Sequence, residues 1–131
     1  MNIGQAAAAT GVTAKRIRYY EQIGLIEPAG RTDSGYRNFN ERDLHTLRFI
    51  QRARRLGFPM PKIGNLLALW RDQNRSNADV KRLATEHIAE LEQKIAELQS
   101  MADTLKHLAR ECSGDARPDC PILAGFEGAQ S

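Results

Sequence analysis

Thr13-Ala14-Lys15-Arg16-Ile17-Arg18-Tyr19-Tyr20-Glu21-Gln22-Ile23-Gly24 is a short helix with both ends written into it. Thr13 can accept a hydrogen bond from the first free backbone amides, and Gly24 stands where a left-handed residue closes a helix. Upstream, Asn2 followed by Gln5 has the spacing of a capping box, so a first helix runs to about Thr10, and Gly11 breaks it. Two short helices joined by a glycine-containing turn form a helix-turn-helix candidate. Downstream, Pro28, Gly30 and Gly35 interrupt any helix between Leu25 and Phe39. Arg31-Thr32-Asp33-Ser34-Gly35-Tyr36-Arg37 reads as two extended arms around an Asp33-Ser34-Gly35 turn. A hairpin in that place is a wing. Asn40, with Asp43 three positions on, caps the next helix, whose apolar stripe is Leu44, Leu47, Ile50 and Ala53. Gly57 ends it, and Pro61 suits the first turn of a fourth helix carrying Ile63, Leu66, Leu67 and Trp70. These stripes close a small core over the helix-turn-helix.

After a polar linker at 72–77 the pattern changes. From Ala78 to about Arg110 there is neither glycine nor proline. Ala84, Ile88, Leu91, Ile95, Leu98, Ala102, Leu105 and Ala109 alternate spacings of four and three, a heptad seam. Such a helix is about 50 Å long. It cannot bury its seam on a 70-residue domain, so its partner is expected to be a second copy of the chain. The expected fold is mainly α: a winged helix-turn-helix domain at 1–71, a dimerisation helix at 78–111, and a short metal-binding loop and tail at 112–131.

Composition narrows the function. The chain has 131 residues, 41% apolar and 27% charged. That length excludes a large α/β enzyme, and the apolar content argues against a disordered chain. The longest apolar runs, such as Leu66 to Trp70, fall far short of the about 18 residues of a membrane span. Ala6–Ala9 is too short and weakly apolar for a secretory signal, so a cytoplasmic location is expected. Charge is uneven. Residues 1–71 hold 12 Lys/Arg against 5 Asp/Glu, while residues 72–131 hold 7 against 11. A basic first half facing an acidic second half suggests that the first half meets a polyanion.

The basic residues sit where a duplex would be gripped. Lys15, Arg16 and Arg18 cluster on the second helix, followed by Tyr19 and Tyr20, and Arg31 and Arg37 flank the wing tip with Tyr36 between them. A helix in the major groove offers its N-terminal residues to base edges, while nearby cations and hydroxyls hold phosphates. One of Tyr19 and Tyr20 is expected in the core, because adjacent helical residues point about 100° apart.

Both cysteines, Cys112 and Cys120, lie in one short window after the long helix. Incidental thiols and a redox pair are open alternatives, whereas a structural disulfide is disfavoured in a reducing compartment. Zinc would need about four ligands. The window offers only Asp115 and Asp119 besides, with His107 five residues before Cys112. Soft thiolates suit Cu(I) and its heavier congeners Ag(I) and Au(I), which accept two ligands. Seven intervening residues, including Gly114 and Pro118, allow both sulfurs to turn inward. Two thiolates leave a net charge of -1 around a monovalent ion and zero around a divalent one.

Ile17-Arg18-Tyr19-Tyr20-Glu21, then Gly24-Leu25, Gly35-Tyr36-Arg37 and Leu56-Gly57-Phe58 with the long helix after them, resemble the MerR family of bacterial transcription regulators. The resemblance spans nearly the whole chain. It implies a winged helix-turn-helix, an antiparallel coiled-coil homodimer, and double-stranded promoter DNA as ligand. It also implies activation by bending and untwisting a promoter whose two recognition elements are spaced too far apart for RNA polymerase. Cys112 and Cys120, with Pro121 after them, resemble the copper-responsive CueR/HmrR-type branch. Relatives sensing divalent metals carry a further cysteine at the start of the dimer helix. Here that region reads Arg75-Ser76-Asn77-Ala78-Asp79-Val80. The copper branch often has serine where Asn77 stands. The tail residues Ile122, Leu123 and Phe126 are expected to pack when metal orders the loop, or else to shield the metal in both states.

Two other function classes compete. A metal carrier or thiol-redox protein has no use for the Arg16–Tyr20 helix or the wing arginines. An enzyme is disfavoured because no nucleophile triad or paired carboxylates stand out, and His45, His87 and His107 are scattered on surface-type helices.

Overall fold

The computed structural model describes residues 1–27, 30–31, 37–112, 114–115, 118 and 120–128, with the backbone alone for 30, 31 and 37. It forms two compact units, 1–84 and 85–131.

In the first unit the first three helices each begin on a local side-chain cap. α1 (Ile3–Thr10) has the capping box, with the Gln5 amide donating to Asn2 Oδ1 at 2.8 Å and the Asn2 amide to Gln5 Oε1 at 2.9 Å. Gly11, at φ 75°, ends it. α2 (Ala14–Gln22) starts where Thr13 Oγ1 accepts from the Arg16 amide at 3.2 Å, and Gly24 follows at φ 77°. β1 (Gly30–Arg31) and β2 (Arg37–Asn38) pair antiparallel, Gly30 opposite Asn38 and Arg31 opposite Arg37. The expected Asp33-Ser34-Gly35 turn lies outside the described residues. The Phe39 amide, just past β2, donates to the Met1 carbonyl at 2.6 Å and ties the hairpin's exit to the start of the chain.

α3 (Glu41–Arg55) has the Asn40–Asp43 capping box. Glu41 and Asp43 occupy its first turn and Arg52, Arg54 and Arg55 its last, a distribution that complements the helix dipole. α4 (Met60–Arg71) follows Pro59, with Pro61 in its first turn. The core gathers Ile17 and Tyr20 of α2, Leu44, Leu47 and Ile50 of α3, and Ile63 and Leu67 of α4. Trp70 departs from its expected place in this core. It is 42% exposed and stacks flat on Phe49, ring centroids 4.6 Å apart.

α5 (Asn77–Glu111) is 35 residues, about 52 Å of helix. It begins one residue earlier than the sequence suggests, because Ser76 Oγ accepts from the Ala78 amide at 3.1 Å and makes Ser76 the cap. Ile88, Ile95, Leu98 and Leu105 of the seam are all at least half exposed in the single chain. His87 is buried, contrary to its expected solvation, with Nδ1 3.9 Å from the Glu90 carboxylate. α6 (Pro121–Phe126) is a short helix after the cysteine window.

Candidate DNA interface and thiol pair

α2 separates its basic and apolar residues cleanly. Ile17 and Tyr20 are fully buried, while Lys15, Arg18 and Tyr19 are exposed and Arg16 is half-buried. Lys15, Arg18 and Tyr19 follow the three-to-four spacing of one helical face. Thr13, Lys15, Arg16 and Tyr19 line an open hollow of about 320 Å³. Tyr20 leaves the set of DNA-facing candidates. Its ring is in the core and its hydroxyl is enclosed, so it holds α2 in place instead of reaching a duplex. The backbones of Arg31 and Arg37 are paired across the hairpin, on the turn side of the Gly30–Asn38 pair. Tyr36 lies outside the described residues.

A second basic cluster went unremarked in the sequence. Arg52, Arg54 and Arg55 end α3, Gly57 turns the chain at φ 84°, and Lys62 follows in the first turn of α4. Arg52 and Arg55 are exposed. The signal was present as three arginines within four residues, but a helix end attracts cations for its own dipole, so the run alone does not point to a ligand.

The two cysteines are brought together by the ends of two helices. Cys112 lies immediately beyond α5, its amide still bonded to the Ala109 carbonyl at 3.2 Å, and Cys120 is the residue before α6. Both are half-buried free thiols. The Leu123 backbone amide facing the Cys120 sulfur is the largest influence holding its thiol below the ordinary value. The Ile122 amide and a hydrogen bond with the Cys112 thiol act in the same direction, and partial desolvation opposes them. Among the described residues no cluster of three or more His, Cys, Asp or Glu could hold a metal. Two adjacent thiols form a pair of soft donors. Ile122 is half-buried, whereas Leu123 and Phe126 are exposed.

Comparison with known proteins agrees with this arrangement. The family model for MerR helix-turn-helix regulatory proteins matches residues 1–70, and that for MerR DNA binding matches residues 44–108. The chain is 63% identical over 123 residues to the HTH-type transcriptional regulator HmrR of Sinorhizobium medicae, covering 94% of this chain and 84% of that one. It has the same identity and coverage with heavy metal-dependent transcription regulator 2 of Rhizobium meliloti. Among solved structures, a lead(II) complex of a transcription regulator from Ralstonia metallidurans CH34 superposes with a TM-score of 0.84 at 28% identity, covering 96% of this chain and 98% of that one. Each of these relatives is named as a transcription regulator. With the helix-turn-helix, the paired strands and the long helix all in place, the chain belongs to the MerR family of transcription regulators.

Proposed function

We propose that the protein is a copper(I)-responsive transcription regulator that binds promoter DNA as a homodimer. In this proposal it activates copper efflux and detoxification genes by distorting the promoter when metal is bound. The observation that carries the metal assignment is the contact between the Cys112 and Cys120 thiols, with no third donor clustered among the described residues. Zinc takes about four ligands, whereas Cu(I), like Ag(I) and Au(I), is satisfied by two soft ones. The depressed thiol of Cys120 favours the thiolate that such an ion needs. The heavy metal-dependent relative supports a metal effector.

The homodimer is supported by the exposed seam of α5. Two copies carry two α2 helices, so the operator is two-fold related and its half-site spacing is set by the rod between them. Lys15, Arg16, Arg18 and Tyr19 read the groove or hold its flanking phosphates. The wing residues Arg31, Tyr36 and Arg37, together with Arg52, Arg54 and Arg55, add phosphate contacts. A bound soft monovalent ion would be held by the Cys112 and Cys120 thiolates. Cys112 and Cys120 would thereby hold the end of α5 against the start of α6. α5 runs unbroken from the linker to Cys112, so a preference of about 1–3 kcal/mol for one arrangement suffices to re-pose the two heads on the promoter. RNA polymerase meets a re-aligned promoter, in a cytoplasmic setting.

Arg18→Ala is expected to weaken operator binding by about 1–3 kcal/mol, the worth of a good base contact. Gel-shift titration against specific and scrambled duplexes checks this, and equal losses on both would make Arg18 a phosphate contact only. The function itself is tested by adding Cu(I) or Zn(II) to the purified protein on an operator template with polymerase. Cu(I) should raise transcription and Zn(II) should not. A response to Zn(II) without one to Cu(I) would overturn the copper assignment.

A further inference from the structure

Leu108 behaves unlike its neighbours on α5. It is 6% exposed, while Leu105 is 50% and Met101 60% exposed. It is not one of the eight seam positions, so its burial does not await a second copy. α6 covers it. A Cβ added at Gly125 would lie 3.4 Å from both Leu108 methyl carbons, so the backbone of α6 rests on that leucine. Gly125 sits inside a helix and has no positive φ, so its backbone conformation does not call for glycine. Helical propensity disfavours glycine there. Close approach is the remaining physical reason for it.

The position of this contact gives it a role. Leu108 and Cys112 are one helical turn apart, and Cys120 directly precedes the helix that holds Gly125. The Leu108–Gly125 contact therefore joins the same two helix ends whose tips carry the thiols. We propose that Leu108 and Gly125 form a latch that seats α6 on α5 and so holds the Cys120 sulfur against that of Cys112. Gly125 is then a positioning residue for the metal clamp, and the inference rests on the proposal that the thiol pair is that clamp. The latch leaves room for nothing larger than a methyl group at position 125.

The test pairs a bulky substitution with its relief. Gly125→Leu should lift α6 from Leu108, and Leu108→Ala in the same chain should reopen the space. Thiol proximity is read without metal as the rate at which diamide closes a Cys112–Cys120 disulfide, by mass and free-thiol count. Clamp quality is read as Ag(I) affinity by competition. Gly125→Leu is expected to slow closure and weaken Ag(I) binding by about 10–100-fold, the range for loss of a group that orients a metal ligand. The double variant should recover most of both losses, and Gly125→Ala should stay near the parent. Metal-free operator binding checks that the remainder of the chain is folded. A parent-like closure rate in Gly125→Leu, or no recovery in the double variant, would overturn the latch. A parent protein that closes its disulfide readily yet ignores Ag(I) and Cu(I) would instead refute the clamp, and the closure rates would still decide the latch.

Discussion

Cys112→Ser is expected to retain operator binding and to lose the proposed copper response. The serine hydroxyl is a hard, protonated donor at neutral pH and cannot replace a soft thiolate. Only one sulfur then remains in a cluster that offers no third ligand among the described residues. Disturbing a group that merely orients a ligand costs about 10–100-fold in metal affinity, so removing one of two ligands costs more, ~10³-fold or about 4 kcal/mol. Operator binding should be untouched, because the basic face of α2 is built within residues 1–84. Gel shift on the operator measures the first half of the expectation, and silver titration followed by promoter transcription measures the second. If the variant also fails to bind DNA, Cys112 is a structural thiol and the metal assignment falls.

Replacing Ile95 and Leu98 together by aspartate should dissolve the proposed dimer. These side chains are 64% and 63% exposed in the single chain, and they sit mid-helix on the heptad seam. Each fully buried Ile or Leu is worth roughly 1.5–3 kcal/mol. Two per chain in two chains therefore give roughly 6–12 kcal/mol of association, which aspartate replaces with desolvated like charge. The isolated chain should keep its helix-turn-helix fold, because the hydrophobic core around α2, α3 and α4 contains none of α5's seam residues. It should nevertheless lose operator affinity by about 10²–10⁴-fold, since linking two reading heads multiplies their binding by that order. Sedimentation equilibrium and gel shift, with and without Cu(I), report the outcome. A variant that sediments as a dimer would show that another surface holds the copies together.

The parts of this protein legible in its sequence are those set by neighbours three or four residues away. Asn2 with Gln5, Thr13, and Asn40 with Asp43 each cap a helix at the expected place, because a side chain and the amides it satisfies lie within one turn. Gly24 and Gly57 end helices for an equally local reason, the absence of a Cβ at positive φ. That the long seam stays uncovered within one chain was legible too, since about 50 Å of helix exceeds what a small domain can cover, and Ile88, Ile95, Leu98 and Leu105 are at least half exposed. Which of two adjacent faces is buried was not. Periodicity defines faces, but the segment that arrives from elsewhere chooses among them. Tyr20 and not Tyr19 enters the core, Trp70 lies on Phe49 outside it, and His87 is buried where a solvated residue was expected. The meeting of Cys112 with Cys120 depends on such a choice as well. α6 lands on Leu108 at a glycine, and that contact between two helix ends belongs to the folded chain and to no local pattern in it.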